Sequence, residues 1–336
     1  MTDEPKDQRE RFATEESDEQ LMLCPPRILG YALKSKSWAQ VPVQPLKKME
    51  DENDETYFKK QLQLDQHHKD MLYAFVKNHE YFSKPDGGGF SVDQERSRSY
   101  DVAERKGQGL AILLHGPPGV GKTLTAETIS MATGRPLVSV SVAEIGTEAA
   151  EAEGKLSTIF LNAARWRAVL LIDEADVFLE ERAKTDQPNR NALVSVLLRC
   201  LEYYQGIIIL TTNRIKSIDF AVQSRMHLAI QYKNLTPDQM FAIYKNLLAD
   251  VPDDKLRGSR RDLEKDVFKN LCGRRSQMNG RQIRNIVLTA RAWAGSQNEK
   301  LDFSHLRELY DSTSEFLEGL KDVTDKAKRK FLVDDD

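Results

Sequence analysis

The stretch Ala111-Ile112-Leu113-Leu114-His115-Gly116-Pro117-Pro118-Gly119-Val120-Gly121-Lys122-Thr123 narrows the folds open to this chain more than any other. An apolar run short enough to be one buried strand meets Gly-x-x-x-x-Gly-Lys-Thr, and a helix-compatible segment from Leu124 to Met131 follows. Strand, glycine-rich loop and helix in that order make a phosphate cradle. Without Cβ atoms in the way, backbone N–H groups turn toward anionic oxygens, and the helix N-terminus adds partial positive charge. In such a loop Lys122 reaches the β- and γ-phosphates and Thr123 offers its hydroxyl to Mg2+. A chance match in a Gly-containing turn would not bring the flanking strand and helix with it.

The rest of the chain fits a sheet built around that strand. Pro136–Val142 alternates apolar and polar residues, Ala168–Ile172 is a continuous apolar run, and Gly206–Leu210 is another. Helical patterns at Glu153–Arg167 and Asn191–Tyr204 lie between them. Strands alternating with helices predict a parallel sheet covered on both faces, a three-layer αβα core, with ligands bound at the carboxyl ends of the strands. Beyond about Leu235 only helical patterns appear, at Pro237–Leu248, Arg261–Leu271, Gly280–Ala294 and Phe303–Leu320, so a small all-helical unit follows the α/β core.

Two further strands end in polar residues at that same carboxyl edge. Leu170-Leu171-Ile172 runs into Asp173-Glu174, which predicts that Asp173 holds Mg2+ and that Glu174 orients or deprotonates the attacking water. An acidic loop after a core strand is common by itself, and its pairing with the phosphate loop gives it meaning. Ile207–Leu210 runs into Thr211-Thr212-Asn213, where the amide of Asn213 can serve both the γ-phosphate and the lytic water.

Ahead of the core, residues 1–20 are polar and acidic with little to bury, which predicts a disordered tail. Residues 21–56 hold two short strand patterns about Lys34-Ser35-Lys36, then the acidic run Glu50–Glu55, read as a solvated linker. Residues 57–100 carry an imperfect helical stripe, with His67, His68 and His79 expected at the surface, and the flexible Lys84–Gly89 break. The core spans 101–235, the helical unit 236–325 and a charged tail 326–336.

Composition excludes several alternatives. With 49 Lys and Arg against 52 Asp and Glu, the formal charge of −3 does not suit a dedicated polyanion binder. Cys24, Cys200 and Cys272 are too far apart to form a metal-binding spacing, which points to free structural thiols in a reducing compartment. No apolar run is long enough for a bilayer span, and the N-terminus is acidic where a signal peptide would be basic, so an intracellular, cytoplasmic or nuclear protein is expected.

The three motifs in this order resemble the AAA+ ATPases. Gly146-Thr147-Glu148, Ala175–Glu180, Arg190–Val196, Leu201–Gly206 and Phe220–His227 resemble, more narrowly, a mostly fungal group of AAA-type ATPases in which a larger N-terminal region precedes the ATPase. Leu21–Val43 resembles only the last piece of that region, which suggests a shortened member or a truncated gene sequence. The resemblance implies ATP and Mg2+ as ligands, with Gly116, Pro117, Pro118, Gly119, Val120, Gly121, Lys122, Thr123 and Leu124 around the nucleotide. It also implies a homo-oligomeric ring, usually a hexamer, with ATP at the subunit contacts. Arg225 matches the arginine finger that reaches the γ-phosphate of a neighbouring subunit, with Arg214 as the runner-up for a contact there. Arg281 matches the sensor-2 arginine of the lid, Arg284 is the second candidate, and Asp101-Val102-Ala103 is placed to line the adenine.

One departure bears on function. Many substrate-threading relatives place an aromatic–apolar–Gly step in the pore loop, and here the stretch reads Gly146-Thr147-Glu148-Ala149-Ala150-Glu151. The acidic loop argues against threading by an aromatic grip and against a nucleic-acid pore. The favoured expectation is an ATP-hydrolysing oligomer that remodels protein partners. A slow-turnover nucleotide switch or scaffold is the alternative, and a nucleic-acid motor comes third.

Overall fold

The computed structural model describes residues 25–44, 46, 57–79, 109–146, 148–179, 188–214, 218–273 and 278–333. The acidic tail, the acidic run, the Gly-rich break, Asp101-Val102-Ala103, Thr147 and Cys24 lie outside them. The chain divides into two units, 1–51 and 52–336.

In the first unit, β1 (Arg27–Ala32) and β2 (Ser37–Pro42) form an antiparallel hairpin in register from Arg27↔Pro42 to Ala32↔Ser37. Tyr31 and Trp38, opposite each other, meet edge-on with ring centroids 5.5 Å apart. Such a cross-strand aromatic pair stabilises a hairpin locally.

The second unit is built on a five-stranded parallel sheet in the order β4-β5-β6-β3-β7. Its strands are β3 (Leu110–His115), β4 (Leu137–Ser141), β5 (Val169–Asp173), β6 (Ile207–Thr212) and β7 (Leu228–Gln231). The three central strands are buried almost throughout, as expected where helices cover both faces. The edge strand β7, only four residues long, is too short for the sequence pattern to disclose. Part of its pairing comes from a side chain: the Ala111 N–H donates to His227 Nδ1 at 3.1 Å, and the His227 N–H to the Ala111 carbonyl at 2.8 Å.

The helices of the core are α2 (Lys122–Ala132), α3 (Val142–Ile145), α4 (Ala149–Arg165), α5 (Asp176–Leu179), α6 (Pro188–Tyr203) and α7 (Phe220–Gln223). Ahead of them, a π-helical turn at Tyr57–Gln61 leads into α1 (Gln66–Lys77). This lead-in is part of the core. Phe58, Leu62, Leu72 and Val76 are buried in one cluster with Ile112, Leu114, Ile129 and Leu171. His79, expected at the surface, is instead buried at 5% exposure. Lys69, 6% exposed, donates to the Lys59 carbonyl at 2.9 Å and ties the π-turn to α1.

The helical lid consists of α8 (Pro237–Ala249), α9 (Arg260–Leu271), α10 (Gly280–Ser296) and α11 (Phe303–Val333). Thr236 and Asn279 each close a capping box, with Gln239 and Gln282, so the backbone donors at the starts of α8 and α10 are satisfied locally. Met240, Tyr244, Val267, Ile283, Ile286 and Leu306 form the lid core. α11 runs on to Val333, past Leu320 where its apolar period fades. Among the described residues no helix is long and apolar enough to cross a membrane.

Candidate functional site

Sheet register brings the three motifs to one level. β6 lies between β5 and β3, pairing Ile172 with Leu210 and His115 with Thr212. The next residues along the three chains, Asp173, Thr211 to Asn213 and Gly116, therefore meet at the carboxyl edge. The Gly116 N–H donates to the Thr212 carbonyl at 3.2 Å, fixing the mouth of the loop against β6.

The loop needs two of its glycines for steric reasons visible here. Gly116 has φ +145°, and a Cβ there would sit 2.3 Å from the Tyr232 carbonyl oxygen. Gly119 has φ +73°, and its Cβ would sit 2.6 Å from the Asn279 side chain. Lys122, 7% exposed, donates to the carbonyls of Gly116 at 2.8 Å and Pro117 at 2.6 Å and to Asn213 Oδ1 at 2.8 Å. Burial holds its amine below the usual lysine range. Asp173 and Asp176 oppose that shift, Arg281 adds to it, and Glu174 opposes it.

Thr123 Oγ1 donates to both oxygens of Asp173, at 3.2 and 3.0 Å. Thr211 also donates to Asp173, and its hydroxyl receives the Glu174 N–H at 3.0 Å. A hydroxyl beside a carboxylate, both hard oxygen donors at the foot of a phosphate loop, suits Mg2+, which takes few protein ligands and keeps water. Glu174 is exposed in the left-handed region at φ +53°, and Asn213 is also exposed at the cleft.

Residues 112–234 match the family described as ATPase family associated with various cellular activities (AAA). The core of this chain is an AAA ATPase domain. The chain is 38% identical over 93 residues to the putative ribosome biogenesis ATPase nvl of Dictyostelium discoideum, covering 27% of this chain and 11% of that protein. It is 31% identical over 153 residues to ATPase family AAA domain-containing protein 3B of Homo sapiens, covering 41% and 23%. It is 27% identical over 149 residues to the ATPase family AAA domain-containing protein 3A homolog of Drosophila melanogaster, covering 41% and 25%. The chain thus spans a quarter or less of the length of these relatives.

Around the AAA core the structure adds residues that no contiguous motif reveals. Asp176, two residues beyond Glu174, accepts from the Thr212 hydroxyl and from the Asn213 N–H at 3.3 Å, so it sets the orientation of Asn213. Leu62, from the lead-in, comes within 4.0 Å of where a Gly121 Cβ would be and walls the other side of the loop. Tyr232 Oη and Thr125 Oγ1 share a hydrogen bond of 2.6 Å behind the loop, in a buried setting that keeps the phenol far above its usual range.

The lid meets the loop directly. The Gly280 N–H donates to the Gly119 carbonyl at 2.8 Å, and Asn279 packs on the same glycine. α10 therefore begins on the phosphate loop. Arg281, exposed in its first turn, is near enough to be felt at Lys122, whereas Arg284 is felt at Glu127 on α2. Arg225 is placed differently. Its Nη1 donates to the Ala221 carbonyl at 3.0 Å, its Nη2 lies 3.8 Å from Glu202, and it is not among the charges that shift Lys122. Leu124 is 41% exposed on α2. In the acidic segment after α3, Gly146 has φ +95°, and Glu148 and Glu151 are exposed.

Proposed function

We propose that this chain binds ATP with Mg2+, hydrolyses it, and works as an oligomer that remodels protein partners. The observation that carries the reading is the pair of hydrogen-bonded sets side by side at the sheet edge, Lys122 with Asn213 and Asp173 with Thr123 and Thr211.

The two sets imply a division of labour. Backbone N–H groups of Gly119 to Thr123 and the Lys122 amine bind the phosphates, and Lys122 exchanges its present carbonyl partners for phosphate oxygens as they enter. Thr123 and Asp173 would hold Mg2+, which when bound neutralises charge on the β- and γ-phosphates. Glu174 orients the lytic water and takes its proton, while Asn213, held by Asp176, fixes the γ-phosphate and that water. Leu62, buried in the core beneath Gly121, backs the loop with an apolar side chain. Arg281 responds to the phosphates from the lid, and Arg225 acts on the nucleotide of an adjacent copy, in a ring. The Gly119–Gly280 contact supports a remodelling role, because a change in the loop moves the first turn of α10 with it.

The test is ATPase rate per subunit against protein concentration, for the parent and Arg225→Ala. A rate that climbs with concentration in the parent and stays low in the variant supports a site shared between copies. A negligible rate in a well-assembled parent would overturn hydrolysis.

A further inference from the structure

Arg225 is tied to its own subunit in a way that bears on how it could act. It follows α7, and its guanidinium is held back on its own subunit by the Ala221 carbonyl at 3.0 Å and the Glu202 carboxylate at 3.8 Å. Glu202 lies at the C-terminal end of α6, a separate element. The two side chains keep 34% and 32% of their surface exposed, so the pair stands at a surface and not in the core. Each anchoring point has an exposed ring next to it in sequence: Phe220, 80% exposed, precedes Ala221, and Tyr203, 56% exposed, follows Glu202.

We propose that Glu202 is a positioning residue that parks Arg225 in the unassembled subunit, and that docking of a second copy of this chain transfers the guanidinium to that copy's terminal phosphate. The proposal rests on the reading of Arg225 as a residue that acts across a subunit contact. An ion pair between partly exposed side chains is weak and screened by salt, so it holds the arginine in one place without holding it permanently. A terminal phosphate offers more negative charge, in a drier cleft, and accepts two parallel N–H bonds from one guanidinium. It therefore wins the competition once it is within reach. Parking keeps Arg225 from occupying stray anions before assembly, and it lowers the turnover of the assembled protein by the fraction of arginine still paired with Glu202.

The experiment compares the parent, Glu202→Gln, Arg225→Ala and the double variant by steady-state ATPase, with assembly followed by sedimentation and folding by thermal unfolding. Glutamine keeps the size and removes the charge. The expected result is a rate per subunit in Glu202→Gln raised by up to about fivefold, the range spanned by exposed ion pairs, at unchanged assembly. The double variant should fall to the level of Arg225→Ala. If the parent is silent, activity appearing in Glu202→Gln supports parking and continued silence overturns it. An unchanged or lower rate in Glu202→Gln, with Arg225→Ala impaired, overturns parking but leaves the shared site standing. The same rise in the Arg225→Ala background also overturns it, because Glu202 would then act through something else. Arg225→Ala at the parental rate removes the shared-site reading, and the proposal with it.

Discussion

Replacing Asp176 tests whether the site depends on residues outside its recognisable motifs. Its carboxylate accepts from the Thr212 hydroxyl and from the Asn213 N–H at 3.3 Å, and Asn213 Oδ1 in turn receives Lys122 at 2.8 Å. Asp176→Ala removes a charged acceptor from both. Bonds to a charged group are worth roughly 1.5–3 kcal/mol each, and a buried group left unpaired costs about 1–3 kcal/mol. Thr212, only 1% exposed, recovers part of this by turning to the Arg214 carbonyl at 3.3 Å. The net loss of stability should therefore be about 1–3 kcal/mol, a fall in Tm of roughly 2–4 °C per kcal/mol for a unit of this size. The catalytic loss should be larger in relative terms. Asn213 freed to move by about 1 Å lowers turnover on the order of 100-fold, with KM changed much less. Asp176→Asn keeps an oxygen acceptor at the same place and should stay within roughly fivefold of the parent. Steady-state ATPase and thermal unfolding of both variants decide the matter. Parental kcat in a folded Asp176→Ala would refute the orienting role. Equal losses in the two variants would mean that the negative charge felt at Lys122 matters and the acceptor geometry does not.

Other predictions separate binding, hydrolysis and folding. Lys122→Ala should weaken ATP binding by roughly 10- to 100-fold, from the loss of charge-assisted bonds, whereas Glu174→Gln should bind normally and turn over about 100- to 10,000-fold more slowly. Fluorescent-nucleotide titration beside ATPase assays checks the split, and equal binding defects in both would contradict it. Gly119→Ala should lower stability by about 2–3 kcal/mol, from its left-handed φ and the displaced Asn279 cap, whereas Gly154→Ala, in the exposed middle of α4 with nothing within 4 Å, should raise it by about 0.5–1 kcal/mol. Thermal unfolding that ranks the two the other way would refute this account. Burial of the Asp302 carboxyl pushes its pKa up, but hydrogen bonds from Ser304 and His305 outweigh that and hold it at about 2. Because the folded carboxyl titrates below its unfolded value, it contributes up to about 2 kcal/mol above pH 4, and this is lost as the pH falls from about 4 to 2. Asp302→Asn should remove that part of the acid sensitivity, and parallel Tm-versus-pH curves for parent and variant would exclude it.

The parts of the site that could be read from sequence share one property: their chemistry is written in adjacent residues. Gly116 to Thr123 and Asp173-Glu174 each combine a backbone shape and a functional group within a single turn, so spacing alone implies what they can hold. Asn213 needed one more step, because its meaning depends on which strand neighbours which. Asp176, Thr211 and Thr212 required the register itself. Thr212 and Asp176 are 36 residues apart in the chain and meet only because β5 and β6 are parallel neighbours. The strand β7 escaped for a related reason. Its four residues alternate weakly at an edge, and part of what holds it is the imidazole of His227, which no propensity registers. The lead-in was legible as a helix but not as core, since Phe58 and Leu62 are separated by charged and polar residues whose π-turn turns both inward. Periodicity reports which face of a regular element is apolar, and an irregular turn has no period to report. The polar supports of this site and its lead-in wall are set by tertiary packing, so they become visible only when the sheet is assembled, and these positions are where sequence and function can be separated by mutation.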